Sequence, residues 1–311
     1  MAKKLWLVTG GAGFIGSNIA EELVRKGEKV RVLDNFSTGK KEHMQSFAHK
    51  VQIIKGDIRN PADVRKSMSG VTYVSHQAAL RSVPKSVDNP IDSNDVNITG
   101  TLNVLVAARD AKVKRLVYAS SSSLYGDGKV FPQHEELLPS PVSPYAASKL
   151  AGEYYCRLFT KTFGLETVSL RYFNVFGPRQ DPESQYSAVI PKFMELAKAD
   201  KPLQVHWDGK QERDFTFVAN VVQANLKAAT ASGVAGRYYN IANGKTHSLL
   251  DLVGIIEEIL GHKVKRIHSP MRAGDVRKTW ANITKAKKEL KYKPEYGFRD
   301  GLYATWKYFQ N

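Results

Sequence analysis

Leu5-Trp6-Leu7-Val8-Thr9 runs directly into Gly10-Gly11-Ala12-Gly13-Phe14-Ile15-Gly16, and residues 15–25 then carry apolar side chains at helical spacing. An apolar strand, a glycine turn and an amphipathic helix in that order form the opening βαβ unit of a dinucleotide-binding sheet. Glycine allows the tight turn and the close approach of backbone to a pyrophosphate. The helix start offers free N–H groups and the positive end of a dipole. Few folds can use such a beginning.

The rest of the first half extends the pattern. Short β-branched apolar runs at 30–34, 51–55, 71–77, 115–120 and 167–171 alternate with helix-like stretches at 62–69, 97–111 and 145–163. Alternation of this kind implies an α/β fold with a doubly wound, Rossmann-type parallel sheet. From about Asn174 the alternation lapses, with Pro178, Pro182, Pro191 and Pro202 punctuating the chain, and it resumes only in helix-like stretches at 249–260 and 283–290. A dinucleotide-binding domain over residues 1–173 is therefore expected, joined by 215–242, whose helix-like 215–231 and strand-like 238–241 return to the first sheet. Residues 174–214 and 243–311 are expected to form a second, smaller α/β substrate lobe.

Asp34 ends the second run, 34 − 16 = 18 residues after Gly16. A carboxylate there can bond the adenosine ribose hydroxyls and would repel a 2'-phosphate, so NAD is expected over NADP. Asp57, after the third run, is placed to meet the adenine or to cap the following helix, and the sequence leaves both open. Tyr145 and Lys149 are 149 − 145 = 4 residues apart in a predicted helix and share one face. A phenol with an ordinary pKa near ~10 is a poor base at neutral pH, and a neighbouring ammonium is expected to favour the phenolate. Ser120-Ser121-Ser122-Ser123 closes the run at 115–120, at the strand end where open α/β sheets bind ligands.

A net charge of +16 raises the question of nucleic acid, but the cations are scattered and mixed with acids, apart from a short cluster at Lys285, Lys287, Lys288 and Lys291. No nucleic-acid partner is expected. No apolar run reaches the roughly 18 residues of a membrane span, and the chain enters a strand within a few residues of Met1, so a cytoplasmic protein without a membrane partner is expected. The single cysteine, Cys156, excludes an internal disulfide, and the histidines show no metal-ligand spacing, so no metal is expected.

With these residues in place, the chain resembles the UDP-galactose and UDP-N-acetylglucosamine 4-epimerases of the extended short-chain dehydrogenase/reductase superfamily. The resemblance spans essentially the whole chain: Thr9 to Gly16, Asp34-Asn35-Phe36-Ser37, Gly56-Asp57-Ile58, Asn97-Ile98-Thr99-Gly100-Thr101, Tyr145 to Lys149, Arg171-Tyr172-Phe173-Asn174 and Arg213-Asp214-Phe215. It implies NAD contacts from Gly10, Gly13, Phe14, Ile15 and Gly16, and from Asp34, Asn35, Ser37, Thr38 and Gly39. Asp57 and Ile58, then Gln77, Ala78 and Ala79, and finally Asn97, Tyr145, Lys149 and Tyr172 complete that set. Ser121, Tyr145 and Lys149 are implied to be catalytic.

On the substrate side the resemblance implies Arg81, Ser121, Ser122, Ser123, Tyr145, Asn174 and Val189. Arg213 and Arg272 would clamp the diphosphate, Asp275 would meet the nucleoside ribose, and Thr279 would border the sugar. Arginine's planar fork suits such a clamp because it can bond two phosphate oxygens at once. Tyr145 would take the proton from the sugar 4-hydroxyl while C4 gives up its hydride to NAD, and return of the hydride to the opposite face of a 4-keto sugar would invert C4.

Related dehydratases and decarboxylases carry an acid in the serine loop, and Ser121-Ser122-Ser123-Leu124-Tyr125 has none. UDP-glucuronate 4-epimerases have a threonine where Asn174 stands, which favours a neutral sugar here. Thr279 is small where a tyrosine restricts relatives to glucose and galactose, which favours N-acetylated or dual substrates. A related dehydratase, reductase or glucuronate epimerase, or an NAD-binding scaffold without activity, are the alternatives. A homodimer is implied through residues 97–111 and 145–163.

Overall fold

A computed structural model of the chain describes residues 3–182, 188–271 and 276–310. The expectations for Arg272 and Asp275 lie outside the described residues. In chain order the first half contains β1 (Leu5–Thr9), α1 (Phe14–Arg25), β2 (Lys29–Asp34), β3 (Val51–Lys55), α2 (Pro61–Met68), β4 (Tyr73–His76), α3 (Val83–Asp88), α4 (Pro90–Asn94), α5 (Gly100–Asp110), β5 (Arg115–Ser121), α6 (Pro144–Phe163) and β6 (Glu166–Tyr172). The second half adds β7 (Val175–Phe176), α7 (Val189–Lys198), β8 (Leu203–His206), β9 (Glu212–Arg213), β10 (Thr216–Phe217), α8 (Val218–Thr230) and β11 (Arg237–Ile241). It closes with β12 (His247–Ser248), α9 (Leu249–Leu260), β13 (Arg266–Ser269), β14 (Lys278–Thr279), α10 (Thr284–Glu289) and α11 (Phe298–Gln310).

Seven strands form one parallel sheet in the order β11-β6-β5-β4-β1-β2-β3, as expected from the alternation. Successive side chains of each strand point to opposite faces, and both faces are covered, which is why these strands read as nearly continuous apolar runs. On one face Val8, Val32, Val117 and Val168 pack with Ile19 and Leu23 of α1 and Val221 and Ala228 of α8. On the other, Leu7, Leu33, Val74 and Leu116 meet Val64 of α2, Val104 and Ala108 of α5, and Cys156 and Phe159 of α6. Cys156 is a buried small group in that layer. The strand order reverses between β1 and β4, so their carboxyl ends diverge and leave the crevice in which open sheets bind ligands.

Short strands and helices of the second half build a separate core of Phe176, Phe193, Phe215, Phe217, Leu249, Leu252 and Phe298, with Phe215 and Phe298 stacked at 4.9 Å. A three-stranded sheet, β12-β9-β14, and the pair β13-β8 lie in this part of the chain.

The stretch at 97–111 departs from the single regular helix that its periodicity predicts. It opens as a π-helical turn over Asp95–Thr99 and becomes α-helical only from Gly100. The Asn97 side chain explains the distortion: it accepts from Leu80 N–H at 2.8 Å and donates to Leu80 C=O at 2.9 Å and to Ser148 Oγ at 3.0 Å. π-turns of this kind recur where a side chain must be delivered to a site. α3 and α4 escape the periodicity altogether. Each begins with a proline within its first two residues and a capping side chain, Ser82 or Asn89, so residues that read as breakers act as starters.

Candidate active site

The glycine turn is a cradle with no spare room. Gly10 has φ +67°, and a Cβ on it would stand 2.7 Å from Ala78 N; a Cβ on Gly16 would stand 2.1 Å from Gly10 C=O. Gly13 caps α1 without a side chain, whereas Asn60, Ser82, Asn89, Ser143 and Ser248 cap α2, α3, α4, α6 and α9. The first turn of α1 is thus left open at the crevice, as an anion requires. Phe14 and Ile15 are partly buried against the second core.

Asp34 is 7% exposed and accepts from Ala12 N–H at 2.9 Å and Phe36 N–H at 2.8 Å, which fixes its carboxylate beside the turn. Gly39 passes close by, where a Cβ would lie 3.0 Å from Asp34 Oδ1. Ser37 and Thr38 are exposed above it, and Ser37 N–H donates to Asn35 Oδ1. Asn35 Nδ2 donates to Asp57 Oδ2 at 2.9 Å, joining the ends of β2 and β3, and Ile58 is buried behind them. Asp57 does not cap α2; Asn60 does, accepting from Ala62 N–H. Bonding to Arg59 holds the Asp57 carboxyl down at about 2, so it is charged, with both oxygens engaged by Arg59.

On the other side of the crevice Gln77 Oε1 accepts from the Tyr172 hydroxyl at 3.3 Å, and Asn225 of α8 joins both in a buried network. Ala78 N–H donates to Thr9 Oγ1, Ala79 follows it, and Arg81 stands exposed just beyond. The glycine cradle, the uncapped helix and the fixed Asp34 carboxylate together fit a dinucleotide.

Beside this cradle, α6 presents Tyr145 and Lys149 to the end of β5. Lys149 is 4% exposed, its Nζ donates to Ala119 C=O at 2.8 Å, and it lies 6.0 Å from the centroid of the Tyr145 ring. Burial pushes its pKa down to about 8. Burial also raises the Tyr145 phenol, against a hydrogen bond with Ser121 and the charge of Arg81, which both pull it down. One N–H of the Lys149 ammonium is thus directed to the strand carbonyl, and Arg81 is the cation whose charge pulls the phenol down. Ser121 Oγ accepts from Ser123 N–H at 3.1 Å and Ser123 Oγ at 2.9 Å, so those two serines share one turn, in which Ser122 begins a 3-10 helix.

A cavity of about 280 Å³ opens between Asn174, Val189, Arg213, Gln204, His206 and Gln211. Asn174 Nδ2 donates to Asp214 C=O at 3.1 Å and to Thr279 Oγ1 at 2.8 Å, and β14 sets Thr279 opposite Arg213. The amide nitrogen of Asn174 is thereby committed, leaving its carbonyl oxygen for a ligand. Asp214 knots the same region together, accepting from the backbone N–H of Asn243 and Gly244, both at 3.0 Å, and of Ala281 at 3.3 Å.

Two buried acceptors in this cavity lack partners among the described residues. Gln211 Nε2 donates to His206 C=O at 3.1 Å and leaves Oε1 orphaned; His206 Nδ1 faces Pro270 C=O at 3.1 Å and leaves Nε2 orphaned. Buried polar groups without partners point to a ligand that supplies donors.

Sequence reasoning missed four contributors. His76 is 1% exposed, with Nδ1 2.7 Å from Thr9 Oγ1 and Nε2 3.0 Å from Thr101 Oγ1, which itself donates to Asn97 C=O. Burial, with the charge of Lys149, pushes this imidazole down to about 3, so it is neutral and ties the glycine turn to the π-turn. A polar residue closing an apolar strand was the available signal. His206 and Gln211 carried none, and Glu153 was hidden on a helix face. Among the described residues no group of three or more His, Cys, Asp or Glu is arranged to hold a metal ion, and no helix is long and apolar enough to cross a membrane.

The sequence profile of the family described as "NAD dependent epimerase/dehydratase family" matches residues 6–242. The chain is similar to the solved UDP-N-acetylglucosamine 4-epimerase of Methanobrevibacter ruminantium in complex with UDP-N-acetylmuramic acid, at 38% identity and a TM-score of 0.95 over 100% of this chain and 99% of that one. It is also similar to the Thermus thermophilus UDP-glucose 4-epimerase complex with NAD, at 35% identity and a TM-score of 0.89 over 99% of each chain. A third relative, the UDP-glucuronate 4-epimerase of Thermodesulfobacterium geofontis, is 34% identical, covering 96% of this chain and 94% of that protein.

Proposed function

The chain belongs to the NAD-dependent epimerase/dehydratase family, and within it we propose that this protein is a 4-epimerase of UDP-hexoses, with UDP-N-acetylglucosamine and UDP-N-acetylgalactosamine foremost. NAD is its cofactor, and when bound it supplies reversible two-electron oxidation of a sugar carbon. The observation that carries the proposal is the convergence of Tyr145, Ser121 and Lys149 at the end of β5, beside the β6 end from which Asn174 follows to line the cavity with Arg213.

Tyr145 takes the proton of the sugar 4-hydroxyl and gives it back, the pattern of a general base and then a general acid. Ser121, whose hydroxyl pulls the phenol down, meets the same sugar oxygen, with Ser122 and Ser123 beside it. The charge of Arg81 and the Ser121 hydroxyl oppose the burial that raises the phenol. The orphaned acceptors Gln211 Oε1 and His206 Nε2 suit the donors of a nucleoside, namely an imide N–H and ribose hydroxyls. Arg213 with Arg272 takes the diphosphate, Asp275 the ribose, and Val189 packs against the base. Asn174 contributes its free carbonyl oxygen to a sugar hydroxyl. The nucleoside is then anchored at one end of the ligand while the hexose turns to present either face of its 4-ketone.

Elimination of water would need an acid that the Ser121–Tyr125 turn lacks, and Glu153 behind it is locked in an ion pair. The small Thr279, partly buried, leaves room for an N-acetyl group. Exposed Tyr154 and Leu158 on α6, 55% and 47% accessible, support a homodimer through that helix and its neighbour α5.

Incubation with UDP-glucose or UDP-N-acetylglucosamine without added reductant, followed by NMR, tests the reading. Galacto products from the wild type are expected, with a loss of about 10²–10⁴ in Tyr145→Phe. A 4-keto-6-deoxy product, or no conversion of either sugar, would overturn it.

A further inference from the structure

Tyr145, Lys149 and Glu153 succeed one another at four-residue spacing on one face of α6, so the two groups that face the crevice share a stripe with a fully buried carboxylate. Glu153 and Arg171 are each 2% exposed and form a bidentate pair, Nε to Oε1 at 2.9 Å and Nη2 to Oε2 at 2.8 Å. The pair does not stop at itself. Ser120 Oγ donates to the same Glu153 Oε1 at 2.5 Å, and Arg171 Nη1 donates to the Tyr125 hydroxyl at 2.8 Å, which donates to Asn240 Oδ1 at 2.7 Å.

Ser120 and Arg171 are also cross-strand partners in the β5–β6 register, as are Ser121 and Tyr172. Ser121 therefore sits between two clamps of one ion pair: Ser120 immediately before it is held by the carboxylate, and Tyr125 at the far end of its turn is held by the guanidinium. Lys149, one helical turn from Glu153, grips Ala119 C=O, so α6 fastens two consecutive residues of β5 just ahead of Ser121.

Stability does not account for this arrangement. Taking two charges out of water costs several kcal/mol per ion, and well-packed apolar residues commonly replace a buried pair at no loss. What apolar residues cannot reproduce is direction, since a bidentate pair with further hydrogen bonds fixes both partners in angle as well as distance.

We propose that the Glu153–Arg171 pair, acting through Ser120 and Tyr125, sets the Ser121 hydroxyl against the Tyr145 phenol, which makes Ser120 and Glu153 positioning residues for the reaction. The proposal rests on the assignment of Ser121 and Tyr145 to the chemistry.

Ser120→Ala removes the link and leaves the ion pair intact. Steady-state epimerisation of UDP-N-acetylglucosamine and UDP-glucose by holoenzyme should show kcat falling ten- to a hundredfold, the scale of an ångström-size misplacement, with KM, bound NAD and melting temperature close to wild type. Glu153→Gln should lower kcat at least as far, and the double variant should lose no more than Glu153→Gln alone, because both changes break one path. A Ser120→Ala enzyme with wild-type kcat, while Tyr145→Phe is inactive, would overturn the inference. So would losses that multiply in the double variant, or a Ser120→Ala loss confined to KM. Should Glu153→Gln fail to fold, the kcat and KM of Ser120→Ala decide alone. Full activity in Tyr145→Phe would instead remove the assignment beneath the proposal.

Discussion

A tyrosine and a lysine one helical turn apart do not act on each other simply because they are close. In this site Lys149 Nζ donates to Ala119 C=O, and the phenol is raised by burial against the pull of the Ser121 hydroxyl and Arg81. Lys149 nonetheless carries a titration within the working range, because burial holds it at about 8. The sign follows from a lowered base: the ammonium is present below that value and is lost as pH rises through it. Turnover that depends on the ammonium should fall with a midpoint near pH 8, measured as log kcat against pH. Lys149→Met should lack that limb and be slower by about 10²–10⁴ at pH 7, the usual weight of a group that supports proton transfer. An unchanged alkaline limb in the variant would assign it elsewhere. Gly10, Asp34, Tyr145 and Lys149 were readable as residues because each is marked by local context. His76, Ser120 and Glu153 were not, because their partners lie 67, 33 and 18 positions away.

Helix α6 shows what a single element contributes. Ser143 Oγ accepts from Ala146 N–H at 3.2 Å, Pro144 starts the helix, and Gly164 ends it in the left-handed region at φ +72°. The first turn is further tied by Tyr145 N–H to Ser86 Oγ at 3.1 Å. Tyr145 thus projects from a first turn held by a cap and by Ser86 rather than from a fraying end. Ser143→Ala removes the cap and should cost about 1 kcal/mol in urea unfolding. Because Tyr145 lies two residues from the lost cap, kcat should fall by more than a surface cap elsewhere allows; Asn60→Ala in α2 is the control, with equal destabilisation and unaltered kcat. The helical spacing of apolar residues places α6 and α1 within a residue of their observed ends. The π-turn at Asp95–Thr99 was not, because it follows from what Asn97 bonds rather than from what its neighbours are.

At the scale of the molecule, the seven-stranded sheet supplies the crevice and the second core lines the cavity. Contacts at residues 178–181 bridge the two: Asn18 Nδ2 donates to Pro178 C=O at 3.2 Å, Arg179 pairs with Glu21 at 2.7 Å, and Lys40 pairs with Asp181 at 3.4 Å. Tyr154 and Leu158, four residues apart on one face of α6, are 55% and 47% exposed and form a short apolar stripe. If that stripe pairs two copies, light scattering should give twice the 34.7 kDa chain mass, and Tyr154→Glu with Leu158→Glu should return a monomer that retains bound NAD. A wild-type monomer at assay concentration would remove the dimer from the proposal.

The sequence by itself determined the alternating strands and helices, the glycine cradle, the acidic end of β2 and the Tyr145–Lys149 face, because each depends on residues adjacent or one helical turn apart. Only the tertiary structure decided which way Lys149 turns, which atom of the Asn174 side-chain amide is committed, and which acceptors of the cavity are unpaired among the described residues. It also joined Glu153, Arg171, Ser120 and Tyr125 into one network. Hydrogen-bond partners in a buried site are set by the packing of distant strands and helices, and burial rather than neighbour identity then governs the charges they carry.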